Sequence, residues 1–411
     1  MSLPSELILQ VFRWATWPPP HVKLSAEYTP FSSSNVTVAF NDPSIELKLK
    51  YNLALVSRQW RDLATEFLYE HIAFRRTQTD EIVPSPDWLS IMDYGRYAMS
   101  VQICRSLYAD QPSSDLYEIW ALIFHHCPNV KLILRPWWGK VGAFSREHWV
   151  LPANVQMPSS SNLPLCFANV TRLEWEYSSH FNIQLFRDIA QRLPNLRWLS
   201  LTSIVGAGTG GRALESHNHR SLHLSQLTTL CLRIENASMY RSMQWLTLPK
   251  LTHLIIEEQD VNIGGANARI MRGLFEKLGQ TLEVLELGRG KYKHFRQSDV
   301  VSLAVTMCPK LHTLSYYVLY TTVPSASRIA IVAKSLRHIH LHAEAASGFD
   351  SLLDLAPMHM LQRIVWFRRF EELDYLTLHG DWTAILQNPE VSKALSGSRW
   401  IVKFENGTAW P

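Results

Sequence analysis

The phrase Leu282-Glu-Val-Leu285-Glu-Leu287 returns 29 residues later as Leu311-His-Thr-Leu314-Ser-Tyr316, and its recurrence decides the fold. The pattern is an apolar residue, two variable ones, then apolar-x-apolar. Earlier copies begin at Val170, Leu196, Leu227 and Leu251, and later ones at Leu336 and Leu361, the last reading Leu361-Gln-Arg-Ile364-Val-Trp366. Successive starts differ by 26, 31, 24, 31, 29, 25 and 25 residues, and an imperfect copy stands at Val130-Lys-Leu-Ile-Leu134. A period of this size predicts a stack of small units, none able to bury its apolar face alone.

The stretches between copies carry helical spacing. Asp115 and Glu118 form a capping box before Leu116, Ile119, Trp120, Ile123 and Phe124. Ile183, Phe186, Ile189 and Leu193 make a second stripe, Ile270, Leu274, Phe275 and Leu278 a third closed by Gly279, and Val300, Leu303, Ala304 and Met307 a fourth. Each unit is thus a helix, a turn and a short strand. Over roughly 115–367 the chain resembles a leucine-rich-repeat solenoid, although no copy carries the Asn that family places two residues beyond the strand. The resemblance implies a horseshoe-like α/β stack, interrupted by an insert from Arg135 to Phe167. From Phe370 onward the text reads as a closing cap, with Trp382, Ile385 and Leu386 covering the last unit.

The beginning reads differently. Leu3-Pro4-Ser5-Glu6 opens a helix, because proline suits the first turn and an anion suits the helix dipole. Leu7, Ile8, Val11, Phe12 and Ala15 follow at helical spacing, and Trp17-Pro18-Pro19-Pro20 stops it. A Pro/Ser/Thr/Asn-rich loop runs from about 18 to 48, with the start of a middle helix at Leu47–Tyr51. Helical spacing resumes with Leu53, Val56, Trp60, Leu63, Ala64, Phe67 and Leu68. The two apolar halves, LPSELILQVFRWA and LALVSRQWRDLATEFLYEHI, resemble the F-box motif. That resemblance implies an α/β protein with a small all-helical F-box head (1–80) followed by an irregular repeat solenoid (81–411). It further implies docking on a Skp-family adaptor, and through it a cullin scaffold, by Leu3, Pro4, Leu7, Ile8, Val11, Phe12, Leu55, Val56, Trp60 and Leu63. The function implied is that of a substrate-recognition subunit of an SCF-type ubiquitin ligase, its repeats binding a target protein. The alternative is an F-box-like scaffold acting outside any ligase.

The positions flanking the central Leu of each copy are expected on an exposed concave sheet as the target-binding face. They include Arg172, Glu174, Trp198, Thr229, His253, Glu286, Tyr317, His338, His340 and Phe367, with Trp198 and Tyr317 as anchors. The other candidate for the target is the insert, with Trp137, Trp138 and Trp149.

Competing motifs fare poorly. Gly206-x-Gly208-x-x-Gly211 matches the dinucleotide fingerprint, but no apolar helix follows to hold a pyrophosphate, so it reads as a surface loop. His338-x-His340-x-His342 puts three imidazoles on one strand face, with His253 on the same face of an earlier unit. Taking Thr313 and Arg363 as the neighbours of His338 leaves no further ligand, and the row reads as a polar surface without a metal. Cys127 and Cys308, each before a proline, read as packing residues. No cofactor motif and no catalytic motif is found, and the chain is expected to be a non-enzyme.

Composition agrees with a folded chain. Its 411 residues are 46% hydrophobic and 18% charged, and a net charge of +4 with no long basic run gives no warrant for nucleic acid. Five scattered cysteines make neither a disulfide framework nor a zinc site, and no secretory signal or apolar run long enough to span a membrane is read. A cytoplasmic or nuclear monomer within a complex is expected, with the sequons at Asn35, Asn169 and Asn406 unmodified.

Overall fold

The computed structural model describes residues 4–15, 30–31, 43–74, 93–103, 123–135, 167–178, 183–204, 221–234, 243–258, 267–287, 299–318, 335–343 and 356–410. The chain is α/β, with parallel strands and connecting helices, and divides into two compact units, Met1–Thr209 and Gly210–Pro411.

The first unit opens with three helices, Ser5–Ala15, Pro43–Val56 and Arg58–Leu68. The last two are separated by Ser57 alone. Its extended backbone and its side-chain oxygen, which accepts from the Trp60 amide at 3.1 Å, start a new helix where the sequence reads as one run. Ile8, Phe12, Ala54, Ala64 and Phe67 form one buried cluster, with Leu9, Leu53, Trp60, Leu63 and Leu68 packed around it.

Five parallel strands follow in chain order: β1 (His71–Phe74), β2 (Ser100–Ile103), β3 (Leu132–Arg135), β4 (Arg172–Ser178) and β5 (Trp198–Ile204). The sheet therefore begins at His71, inside the segment expected to be wholly helical. Tyr69-x-x-Ile72 and Ala98-x-x-Val101 are two further copies of the repeat phrase, in register with Ile133, Leu173 and Leu199.

The junction before each strand supplies the lateral ties. Asn129 Nδ2 donates to Arg96 O at 2.7 Å, Asn169 Nδ2 to Pro128 O at 2.8 Å, and Asn195 Nδ2 to Ala168 O at 2.8 Å. An asparagine ladder thus exists in this unit, placed directly before the first apolar residue of each copy instead of beyond the strand. Each amide satisfies a carbonyl of the preceding unit that no strand pairing reaches.

The second unit holds seven parallel strands in the order β7 (Thr229–Ile234), β9 (His253–Glu258), β10 (Val284–Leu287), β11 (Thr313–Tyr317), β12 (His338–His342), β13 (Tyr375–His379) and β14 (Ile401–Phe404). Two short strands, β6 (Leu222–His223) and β8 (Leu246–Thr247), pair separately. Leu230, Leu254, Leu285, Leu314, Ile339, Leu376 and Val402 are in register and buried, forming the core-facing ladder. Helices Asn267–Leu278 and Val300–Met307 contribute Met271, Leu274 and Phe275, and Val300, Val301 and Ala304, to the buried set. Asp299 caps the second of these by accepting from the Ser302 amide at 2.9 Å.

Two expectations fail in this unit. Leu361–Trp366 is not a strand but lies inside the helix Ala356–Phe367. Leu-x-x-Ile is helical spacing as well as repeat spacing, and Met360, Ile364 and Phe367 are buried one turn apart while Met358 and Val365 face outward. The strand comes with Leu373-Asp-Tyr-Leu376-Thr-Leu378, a copy the sequence reading passed over. Residues beyond Phe370 are accordingly not a bare cap: they hold strands β13 and β14 and the helices Thr383–Leu386 and Pro389–Ser396. Trp382 and Ile385 are buried, as a covering role requires. The segment after β14 folds back on it antiparallel, with Phe404 N donating to Thr408 O and Trp410 N to Val402 O, both at 2.8 Å.

Candidate functional surfaces

The helical head sorts the expected adaptor residues into two sets. Ile8 and Phe12 are buried in the shared cluster, and Leu63 packs on its margin. Trp60 is half-buried, its ring edge-to-face with Phe12 at 5.0 Å between centroids. The other set points outward: Leu7 is 46% exposed, Val11 52%, Leu55 66% and Val56 60%. Leu49 and Tyr51, which sequence reading did not select, are also exposed on the Pro43–Val56 helix. Pro4 is exposed and accepts from the Leu7 and Ile8 amides, starting the first helix. Leu3 lies outside the described residues, as do Trp137, Trp138 and Trp149 of the insert and the glycines of the 206–211 motif.

One helix turn explains the division. On the first helix Ile8 and Phe12, four apart, face the cluster while Leu7 and Val11, also four apart, face away. Large apolar side chains on both sides of so short a helix exceed what its own core uses. Leu7 and Val11 thus make an outward apolar pair on the first helix, and Leu55 and Val56 a second at the end of the Pro43–Val56 helix.

The expected target face is corrected. Within each unit the flanking residues that lie on strands occupy the sheet face opposite that unit's in-register apolar row, but most are buried. Arg172 pairs across the sheet with Trp198, and its guanidinium lies 4.4 Å over the indole while its Nε and Nη2 donate to Glu174 at 2.9 and 2.6 Å. All three side chains are buried, as are Thr229, Glu286 and Tyr317. Phe367 is buried on a helix and is not on the sheet. Strands lie about 4.8 Å apart, so side chains as large as Trp, Arg and Tyr cover their neighbours on both flanking strands. Trp198 and Tyr317 are packing residues, not surface anchors.

His253, His338 and His340 are only partly buried. Burial is the leading cause that lowers the pKa of each, and for His340 it reaches about 3, with His379, His338 and Lys403 adding to the effect. Arg363 is not a neighbour of His338. It is fully buried on the Ala356–Phe367 helix, donating to Val318 O at 2.6 Å and His359 O at 3.2 Å. The strand beside His338 is β13, which brings Tyr375 opposite His338 and His379 opposite His342. His340 Nδ1 and His379 Nε2 are 3.1 Å apart, and His379 Nδ1 lies 3.6 Å from Glu405 Oε2. His342 stacks on Tyr317 with centroids 4.6 Å apart. Taking Leu361 as the last copy hides His379 and Glu405 from the sequence; the phrase at Leu373 is the signal for the strand that ends at His379, and Glu405 follows the next strand. Among the described residues, no three His, Cys, Asp or Glu side chains surround a common point as they stand.

Cys127 and Cys308 are buried, and burial pushes both thiols up to about 12, leaving them protonated at neutral pH. Each packs against a glycine of the preceding junction: a Cβ at Gly95 would fall 2.9 Å from Cys127 Sγ, and one at Gly279 3.1 Å from Cys308 Sγ. Asn169 spends its amide on the junction ladder, and Asn406 Oδ1 accepts from the Thr408 amide and hydroxyl. No helix among the described residues is long and apolar enough to cross a membrane.

No family model matches the chain, and no curated protein does. Among solved structures it is similar to a Bacteroides fragilis protein, at 11% identity and a TM-score of 0.41 over 84% of this chain and 76% of that one.

Proposed function

We propose that this chain is a substrate-recognition subunit of an SCF-type cullin ubiquitin ligase. In this reading the three helices are an F-box head that binds a Skp-family adaptor, and the repeats behind it, an irregular leucine-rich-repeat-like solenoid, bind the target protein. The observation that carries the reading is the outward set Leu7, Val11, Leu55 and Val56. These are positions that the F-box resemblance assigns to the adaptor, and they stand apolar and about half exposed or more beside a core already complete. These side chains are already about half covered, so burying the remainder of each is worth on the order of 1 kcal/mol, and an adaptor must add further contacts to offset the cost of association. The chain does no bond chemistry in this reading, which is supplied by other subunits. Affinity purification of the full chain, with and without proteasome inhibition, tests it. Adaptor and cullin are recovered in both conditions, and the target accumulates on inhibition. Recovery of partners without adaptor or cullin turns the reading into that of a scaffold acting outside any ligase.

A further inference from the structure

We propose that His340, His342 and His379 form a binding site for one divalent zinc ion, with Glu405 orienting His379 from behind. His340 and His342 are alternate residues of β12, so both point to the sheet face opposite the core ladder. His379 stands in register with His342 on the adjacent strand β13 and points to the same face. Two imidazoles two residues apart on one strand and a third on its neighbour define a triangle with sides of about 5–8 Å between Cβ atoms, a span that three imidazoles close around one ion.

The nitrogens are already gathered on one side of that triangle. His340 Nδ1 and His379 Nε2 lie 3.1 Å apart. Two nitrogens at 2.0–2.1 Å from a tetrahedral zinc are separated by about 3.4 Å, so the ion replaces the hydrogen bond between these rings with a small adjustment. His379 presents its other nitrogen, Nδ1, toward Glu405 Oε2 at 3.6 Å. A carboxylate behind a ligating imidazole holds the tautomer in which Nε2 carries the lone pair. The third ligand requires His342 to turn from its stack on Tyr317, while its ring lies 6.5 Å, centroid to centroid, from that of His379. Gly380 leaves the space for that ring: its φ is +78°, and a Cβ there would stand 2.9 Å from His342 Cε1. Lys403, the nearest cation on β14, is held 4.3 Å over the Tyr375 ring.

The test is zinc titration of the chelator-treated full chain by calorimetry, with cobalt as a spectroscopic stand-in. One zinc per chain binds at micromolar concentration or below, and cobalt gives visible bands of a low-coordinate site. His379→Ala and His342→Ala each weaken uptake at least tenfold, whereas His253→Ala does not change it. Glu405→Gln, whose side chain is 60% exposed and outside any core, weakens it 10- to 100-fold and keeps the fold, so it decides the matter if a histidine variant fails to fold. Absence of one-to-one uptake by the wild-type chain, or uptake that the His379, His342 and Glu405 variants leave unchanged, overturns the proposal.

Discussion

The Trp60 ring meets Phe12 edge-to-face at 5.0 Å between centroids, with 69° between ring planes. Phe12 is fully buried and also contacts Phe67 at 6.2 Å, so the indole is tied into the centre of the helical cluster. Aromatic pairs of this geometry add about 0.5–1.5 kcal/mol to their area burial. Phe12→Ala therefore lowers the stability of the first unit by ~3–5 kcal/mol, and Trp60→Ala by a smaller amount because part of its ring faces solvent. Chemical denaturation followed by tryptophan fluorescence and circular dichroism measures both. Any loss of adaptor in Trp60→Ala is then partly a loss of fold, whereas Leu7 and Leu55 test the surface alone.

Two glycines of the second unit respond oppositely to the same methyl group. At Gly279 a Cβ would lie 2.5 Å from Phe275 O and 2.6 Å from Met307 O, both backbone atoms. Gly279→Ala forces one junction away from the next and costs about 1–3 kcal/mol or more. Gly273 lies inside the Asn267–Leu278 helix with nothing within 4 Å of the added atom. Gly273→Ala stabilises by ~0.5–1 kcal/mol through helix propensity. Urea midpoints of the two variants, measured side by side, check the contrast.

The Asn195 amide donates to Ala168 O at 2.8 Å. Asn195→Ala removes the tie and costs ~0.5–1.5 kcal/mol, while Asn195→Asp costs more because a carboxylate then faces a carbonyl oxygen. Equilibrium unfolding of the pair gives the order wild type, Ala, Asp.

Burial pushes the Cys127 and Cys308 thiols up to about 12. At pH 8 the native protein leaves both unalkylated by iodoacetamide over the time in which a free thiol reacts completely, and unfolding in urea exposes them. Peptide mass mapping locates the labels. Rapid native labelling at either position would contradict the burial described.

The repeat phrase made most of the sheet legible, because apolar-x-apolar with a fixed offset has few other structural meanings. It misleads where two periodicities coincide: Leu361 and Ile364 satisfy both helix and repeat, and Pro357 lies in the first turn of the helix that contains them. The copies at Tyr69 and Ala98 were hidden by weaker apolar residues at their first positions. Burial of the flanking row was illegible for a different reason. Strand spacing, not residue polarity, covers Arg172, Glu174 and Trp198, and polar residues paired in this way disappear from the surface. At the helical head the residue types pointed to an apolar surface, but only packing tells Leu7 and Val11 from Ile8 and Phe12.

A reconstituted binding assay decides whether the exposed helical face is an adaptor site. Purified full-length chain and a purified Skp-family adaptor are mixed, and affinity is measured for the wild type, Leu7→Ser and Leu55→Ser beside a thermal melt of each. The wild type binds at micromolar concentration or tighter. Each substitution costs about 2 kcal/mol or more of binding, roughly thirtyfold, while the melt moves little because neither side chain belongs to the core. A wild-type chain that retains no adaptor, or serine variants that bind as it does, would contradict the assignment of this surface.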